Sequence, residues 1–282
     1  MQGALRNSLP RLLQSPPVLN PSRNMITLYD VGPTSFGKEM GTSPFARALR
    51  FALNYKKIPY TVTEISLLDI ESTAKSIGVA PTPSFLANGA VRYTVPFIHS
   101  PSPNPTNPNI SLSDSFTIAS YLDTAYPDTP RVIPPGTRML QKTFSDTFTS
   151  IYAPMVPLIM PTTVERFMSP KVQERLRDVK GDGAVRCGLS EEERERIWEV
   201  VVGGMRGLAE GYPREGEGEG EGDSAFVMGG TDPTWADMLA TGLLWWVREV
   251  FGDTKGWRDI AALGDGRIGR LVDDTMQVCK PT

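Results

Sequence analysis

The chain has 282 residues, of which 40% are hydrophobic and 22% charged, and its formal net charge is −3 at pH 7. That length suffices for two modest domains, and the charge gives no indication of nucleic-acid binding. No stretch approaches the roughly 18 apolar residues of a membrane span. The single histidine, His99, and two distant cysteines, Cys187 and Cys279, argue against a zinc enzyme, a Ser-His-Asp hydrolase and a disulfide-built secreted protein. We interpret His99 as structural or exposed and expect a reducing compartment.

Residues 1–24 differ in composition from the rest of the chain. They contain three arginines, three serines and four prolines, and no acidic residue. Scattered Arg and Ser without acid are typical of an organellar transit peptide, whereas four prolines oppose the amphipathic helix that such a peptide needs. Three interpretations therefore stay open: a disordered extension, a working start at Met25, or a targeting segment that would make the protein mitochondrial rather than cytoplasmic.

Residues 25–127 alternate between strand and helix patterns and predict a small α/β domain with a mixed sheet. A short helix and a Pro/Asn-rich loop fall between the strands. The predicted strands are Ile26–Tyr29, Tyr60–Ile65, Tyr93–Ile98 and Ile110–Leu112, and the predicted helices run from Ser43 to about Lys57, from Glu71 to Ile77 and onward from Ser113-Asp114-Ser115.

A proline-rich linker, residues 128–137, precedes a segment, residues 138–282, that we expect to be all-helical. One long helix is predicted from Thr137 to Ala153, with prolines at 154, 157 and 161 interrupting the helical pattern after it, and another from Glu191 to Leu208. Residues 214–224 alternate Glu with Gly and predict a flexible acidic loop, because they have no apolar surface to bury. Thr234 and Asp237 form the pattern of a capping box, which predicts the start of a central helix.

The sequence Ser43-Pro44 after the first predicted strand indicates a helix that begins with a serine cap and a proline in its first turn. A hydroxyl at the positive end of a helix is suited to binding an anion. The alternative is a plain N-cap without a functional role. The pattern alone does not decide between these two interpretations.

The ordered set of these features resembles the cytosolic glutathione transferases over residues 25 to 275. It comprises the Ser-Pro-Phe helix start, Val95-Pro96 entering a strand, Asp114-Ser115 opening a helix, the proline-rich linker and the Thr-x-x-Asp capping box. The resemblance is strongest to the fungal etherase-like group. It implies an α/β thioredoxin-like N-terminal domain followed by an all-α C-terminal domain.

The resemblance also implies a set of site residues. Val95-Pro96 would be a cis-proline turn whose main chain pairs with glutathione, while Asp114 and Ser115 would hold the γ-glutamyl end. Ser43 would donate to the thiolate, with Thr34, Ser35 and Thr42 as alternative donors. Thr42 is also assigned to glutathione binding, and Lys75 and Arg92 are the candidates for the glycyl carboxylate. The predicted hydrophobic substrate site consists of Phe36, Phe45, Phe148, Tyr152 and Met155, with Met40 as a further candidate.

The implied activity is that of a glutathione-dependent transferase or lyase acting on a hydrophobic or aromatic electrophile, with glutathione as co-substrate and no metal. Two alternatives stay open. One is an enzyme of fungal secondary metabolism in which glutathione adds and leaves, giving net isomerisation, elimination or cyclisation. The other is a non-catalytic carrier of hydrophobic ligands. The implied partners are glutathione, a hydrophobic small molecule and a second copy of the chain, with no nucleic acid or membrane.

Overall fold

The computed structural model describes residues 25–32, 41–83, 91–102, 108–211, 224, 226–252 and 255–281. The predicted extension, the candidates Thr34, Ser35, Phe36 and Met40, and nearly all of the predicted acidic loop lie outside the described residues. Among the described helices, none combines the length and apolar character that crossing a membrane requires.

The first half is built on a four-stranded mixed sheet, as predicted. The elements are β1 Ile26–Val31, α1 Pro44–Tyr55, β2 Tyr60–Ile65, α2 Ile70–Ser76, β3 Thr82–Pro83, β4 Val91–Arg92, β5 Phe97–Ser100, β6 Ile110–Ser113 and α3 Ser115–Ala125. The strand order in the sheet is β2-β1-β5-β6, with β1 parallel to β2 and antiparallel to β5, which is antiparallel to β6. The two short strands β3 and β4 pair separately.

One predicted strand is shorter than its apolar pattern indicates. We expected a strand over Tyr93–Ile98, but the ladder with β1 begins at Phe97. Pro96 has no N–H to donate to a ladder, which accounts for the late start. The residues before it therefore form an approach to the strand rather than part of it.

The second half is helical, as predicted. The elements are α4 Arg138–Tyr152, a 3₁₀ turn Ala153–Met155, α5 Val156–Phe167, α6 Pro170–Lys180, a 3₁₀ turn Asp182–Ala184, α7 Glu191–Ala209, α8 Trp235–Phe251, α9 Lys255–Ala261 and α10 Arg267–Val278. The three prolines do not end the helical path. Pro154 lies in the 3₁₀ turn, Pro157 lies in the first turn of α5, and only Pro161 of the three lies beyond the first turn of a helix.

The two halves share one hydrophobic core, with α8 at its centre. Buried residues of the sheet, such as Leu28, belong to the same cluster as Leu243 and Trp246 of α8. The backbones of α8 and α1 approach closely at Gly242, where a Cβ would overlap with the Pro44 carbonyl oxygen. The first turn of α1 is therefore held from the helical side as well as from the sheet.

A buried ion pair joins α1, α3 and the linker. The Lys56 side chain is 0% exposed, and its Nζ donates to Asp123 Oδ1 at 2.7 Å and to the Pro130 carbonyl at 2.8 Å. The Asp123 carboxylate also accepts from the N–H groups of Val132 and Ile133, at 3.1 and 2.9 Å. Both charges have several partners, as buried charges require.

The predicted capping residues stand at the start of α8. Asp237 is 0% exposed, and its Oδ2 accepts from both the N–H and the hydroxyl of Thr234 at 2.7 Å. Its Oδ1 accepts from the Val227 N–H at 2.6 Å, which ties the segment before α8 to the same carboxylate. Burial raises the pKa of the Asp237 carboxyl, and these three donors oppose that effect.

Replacing Thr234 with alanine should lower the free energy of unfolding by about 1 kcal/mol or more, because the buried Asp237 carboxylate loses a hydroxyl donor at the helix start. Urea denaturation followed by circular dichroism measures the change. Thr231→Ala is the matched control, since the Thr231 hydroxyl makes its bond to Asp232 at the exposed surface. Equal stability of the two variants would contradict a role of this cap in stabilising α8.

Candidate functional site

A cavity of about 510 Å³ lies between the sheet half and the helical half. On one side stand the start of α1, the segment before β5 and the start of α3. Helices α4, α5 and α8 form the other side. The residues that line it include Thr42, Ser43, Pro44, Phe45, Thr94, Val95, Pro96, Asp114, Ser115, Phe116, Lys142, Ser145, Asp146, Thr149, Val156, Met160, Met168, Trp235, Leu239 and Trp246.

Ser43 is the N-cap of α1, as predicted, and lines the cavity. Its backbone is extended (φ −72°, ψ 121°), and its Oγ accepts from the Ala46 N–H at 3.3 Å. A hydroxyl that accepts one hydrogen bond retains its own hydrogen for donation. The positive end of the helix and this O–H therefore lie together at a wall of the cavity, an arrangement that favours a bound anion.

Thr42 lines the cavity beside Ser43. Its N–H donates to the Val31 carbonyl at 3.1 Å, which joins the segment to the end of β1. Of the four hydroxyls considered as donors, these two are placed at the cavity, whereas Thr34 and Ser35 lie outside the described residues. Which of the four contacts a thiolate stays open.

The peptide bond between Val95 and Pro96 is cis, which confirms that prediction. Both residues line the cavity, and the strand ladder begins only at Phe97. The Val95 main chain therefore lies outside the β1–β5 ladder and at the cavity wall. Such a main chain can pair with an extended peptide ligand in the manner of an added strand.

Asp114 and Ser115 meet the cavity at the start of α3. Asp114 has φ +70° and ψ 116°, a conformation that non-glycine residues rarely adopt and that occurs more often at functional sites. Its Oδ1 accepts from the N–H and the hydroxyl of Thr117, at 2.8 and 2.7 Å. Asp114 is thus a helix cap and also a residue of the cavity.

The two predicted cations are not at the cavity. Lys75 pairs with Glu71 one helical turn away, at 2.6 Å, and its side chain is 57% exposed. Its ammonium also lies 5.3 Å from the centroid of the Tyr93 ring. Arg92 is exposed on β4. Neither residue lines the cavity, although Tyr93 does, and the assignment of Lys75 and Arg92 to the glycyl carboxylate stays a prediction.

Three of the predicted hydrophobic substrate residues are part of the core instead. Phe148, Tyr152 and Met155 are 2%, 0% and 0% exposed, and none of them lines the cavity. Phe45 does line it, and Phe36 lies outside the described residues. Helix α4 turns its apolar face toward the core. The apolar residues that we chose from its sequence therefore pack in the core and do not line the cavity.

Sequence reasoning missed the face that α4 presents to the cavity. That face carries Lys142, Ser145, Asp146 and Thr149, at the spacing i, i+3, i+4 and i+7 of one helix face. Lys142 and Asp146 form an ion pair at 2.6 Å. The apolar wall comes instead from Val156, Met160, Met168, Leu239 and Trp246. The polar spacing was visible in the sequence and could have indicated this face.

His99 stands away from the cavity, on β5. Its Nδ1 lies 3.0 Å from Ser111 Oγ on the neighbouring strand, and it is half-buried. This placement fits the structural role that we assigned to it. Within the described residues, no group of three or more His, Cys, Asp or Glu side chains is arranged to hold a metal ion.

Comparison with known proteins identifies the family of the chain. Residues 39–130 match the model of a glutathione S-transferase N-terminal domain, and residues 139–277 match that of a glutathione S-transferase C-terminal domain. The chain is 30% identical over 260 residues to the glutathione S-transferase-like protein ustS of Aspergillus flavus, a match covering 88% of this chain and 89% of that protein. The chain belongs to the glutathione S-transferase family. The resemblance found in the sequence, and the fold that it implied, are confirmed.

Solved structures of the family support the assignment over nearly the whole chain. A glutathione S-transferase of Ceriporiopsis subvermispora, solved in complex with glutathione, is 28% identical, with a TM-score of 0.72 over 90% of this chain and 98% of that one. A glutathione transferase of Phanerochaete chrysosporium is 27% identical, with a TM-score of 0.73 over 93% and 99%. Both come from fungi, the group to which the sequence motifs pointed.

Proposed function

We propose that this glutathione S-transferase family member is a glutathione-dependent transferase that attaches the glutathione sulfur to a hydrophobic or aromatic electrophile. The observation that carries the proposal is one cavity with two kinds of wall. The sheet side offers the capped start of α1, Val95 and the Asp114-Ser115 turn. Apolar side chains come from α5 and α8, and also from Val31, Leu67 and Ile70 of the sheet half.

The residues on the sheet side fit the chemistry of glutathione. The Val95 main chain suits the cysteinyl peptide unit, which needs one donor and one acceptor. The Asp114 carboxylate suits the γ-glutamyl ammonium, and the Ser115 hydroxyl with the first N–H groups of α3 suits the neighbouring carboxylate. The relatives from Ceriporiopsis subvermispora, solved with glutathione, add support for this ligand.

Glutathione supplies the nucleophile, its thiolate. A free thiol has a pKa of about 8.5 and is only a few per cent ionised at neutral pH. Lowering that pKa by about 2 units takes roughly 2.7 kcal/mol of preferential stabilisation of the thiolate. In our proposal the Ser43 hydroxyl and the N-terminus of α1 provide this stabilisation, because both are held in place before the sulfur arrives.

The opposite wall of the cavity restricts which electrophiles can bind. Met160, Leu239 and Trp246 provide an apolar surface, and the α4 face beside them is polar and carries the Lys142–Asp146 pair. A substrate that fits both has an apolar body with at least one polar group.

Ser43→Ala should lower the turnover number by about 10-fold or more while largely preserving the KM for glutathione, because one preorganised donor to the thiolate is lost. Steady-state kinetics with a general electrophile such as 1-chloro-2,4-dinitrobenzene measure this. Ser190→Ala is the matched control, since Ser190 caps α7 in the same way and does not line the cavity. An unchanged rate for Ser43→Ala would exclude Ser43 as the donor, and a loss confined to Thr42→Val would move the role to Thr42.

Binding and product analysis test the function itself. The protein should be retained on immobilised glutathione and released by free glutathione, and a protein that is not retained would contradict the proposal. With a candidate substrate, mass spectrometry should show a product that keeps the glutathione mass. A product of unchanged substrate mass with new connectivity would favour isomerisation instead.

A further inference from the structure

Two carboxylates, Asp30 and Glu64, occupy partnered positions on the neighbouring strands β1 and β2. Each is one residue before the end of its strand, so both lie at the edge from which the chain leaves toward α1. Asp30 is 1% exposed and Glu64 is half-buried. Two carboxylates in this buried environment require hydrogen-bond donors, because burying a carboxylate without hydrogen bonds costs free energy.

Their partners are in the three-residue segment that leads into α1. The Ser43 N–H donates to Asp30 Oδ1 at 3.0 Å, and the Gly41 N–H donates to Glu64 Oε1 at 2.6 Å. Between them, the Thr42 N–H donates to the Val31 carbonyl at 3.1 Å. Three consecutive N–H groups are thus fixed to the ends of the two strands, and two of the three acceptors are these carboxylates.

The same two side chains fill the space beside two glycines. Gly41 has φ +81°, and a Cβ on it would overlap with the Asp30 carboxylate. A Cβ on Gly32, just after β1, would overlap with the Glu64 side chain. At Gly41, hydrogen bonding and close packing therefore act on the same segment, and together they position the Ser43 N-cap at the cavity wall.

We propose that Asp30 and Glu64 are a pair of positioning residues that hold the 41–43 segment and thereby set the pKa of the glutathione thiol at the Ser43 end of the cavity. This inference rests on the proposed function. Neither carboxylate lines the cavity, so both act through the segment rather than on the substrate.

The ionisation of Asp30 supports an active role for its charge. Burial raises the pKa of the Asp30 carboxyl to about 7, and the N–H groups of Ser43 and Val31 oppose that rise. The charged groups facing it are Arg47 and Arg50 of α1, which lower the pKa, and Glu64 of β2. The ionised carboxylate accepts the Ser43 N–H more strongly than the neutral acid does, so the hold on the segment weakens below neutral pH.

The test compares Asp30→Ala with Asp30→Asn. Alanine removes the acceptor for the Ser43 N–H, whereas asparagine keeps an acceptor oxygen and removes only the charge. Asp30→Ala should raise the pKa of the bound glutathione thiol by about one unit and lower the turnover number by about 10-fold below that pKa. The thiol pKa is measured from the ultraviolet absorbance of the thiolate as a function of pH. The KM for glutathione should change by less than about 3-fold, since Val95, Asp114 and Ser115 are untouched. Asp30→Asn should recover part of the loss at neutral pH, because it keeps the acceptor oxygen for the Ser43 N–H and lacks the charge that strengthens this bond.

Asp273→Asn is the matched control, because it removes the same charge from an exposed pair with Arg248 and should leave both readouts unchanged. A folded Asp30→Ala variant with an unchanged thiol pKa would overturn the proposal. If Asp30→Ala does not fold, the same comparison is made between Glu64→Ala and Glu64→Gln. The alanine variant should raise the thiol pKa, and the glutamine variant should restore it. Equal thiol pKa values in the two variants would overturn the inference. Retention of the wild-type protein on immobilised glutathione is measured first, so failure of the function is distinguished from failure of the positioning role.

Discussion

Replacing Lys56 with methionine should lower the free energy of unfolding by about 3 to 5 kcal/mol, one of the largest single-residue effects that we expect in this protein. Methionine replaces the apolar stem of the buried side chain but leaves the Asp123 carboxylate without its cationic partner. It also removes the donor to the Pro130 carbonyl, so the buried Asp123 carboxylate and the Pro130 carbonyl each lose a bond. Chemical denaturation monitored by tryptophan fluorescence measures the change.

An exposed ion pair provides the control for this prediction. Lys75→Met breaks the pair with Glu71 on the surface of α2 and should change stability by no more than about 0.5 kcal/mol. The double variant Lys56→Met/Asp123→Asn should recover part of the loss, because it removes the unpaired charge and keeps an acceptor oxygen for one of the two N–H groups of Val132 and Ile133. A loss below about 1 kcal/mol for Lys56→Met would show that the buried pair adds little to stability.

Replacing Gly242 with alanine should both destabilise the fold and impair the site. The added Cβ would overlap with the Pro44 carbonyl oxygen and approach the Ala48 backbone nitrogen to 3.2 Å, and neither group can rotate away. We expect a loss of about 1 to 3 kcal/mol from overpacking. Because Pro44 follows Ser43 directly, α1 must shift at its first turn, and the turnover number should fall by about 10-fold, as a misplaced donor predicts.

Gly203→Ala is the matched control on α7. Gly203 is exposed, and a Cβ there would meet nothing within 4 Å, so the better helix propensity of alanine should raise stability by about 0.5 to 1 kcal/mol. Thermal unfolding and steady-state kinetics on both variants compare the two effects. An active, fully stable Gly242→Ala variant would show that α8 can move away from α1 without disturbing Ser43.

Signals that reside in a few neighbouring residues were readable from the sequence. Ser43-Pro44 predicted the start of α1, and Thr234 with Asp237 predicted the start of α8, because a cap and its helix lie within one turn. The cis bond at Val95-Pro96 came from the family resemblance, since nothing in the dipeptide itself separates cis from trans.

Features that depend on contacts between distant segments were not readable in the same way. The partners of Asp30 and Glu64 are 13 and 23 residues away in sequence. On α4, we assigned Phe148 and Tyr152 to the substrate site, but they belong to the core. Periodicity shows which residues share a helix face, but it does not show whether that face packs in the core or lines the cavity. We chose Lys75 as a candidate for the glycyl carboxylate because of its charge, and in the structure its ammonium pairs with Glu71 one helical turn away.

The close approach of Gly242 to Pro44 bears on how this protein could be recombined with its relatives. Helix α1 belongs to the N-terminal segment by chain order, yet its first turn fits a surface shaped by α8. A chimaera that joins this N-terminal half to the helical half of a relative would inherit a mismatched contact wherever that relative has a larger residue opposite Pro44. Exchange at the linker separates α1 from α8, so it should succeed with relatives that carry glycine opposite Pro44 and fail with those that carry a larger residue there.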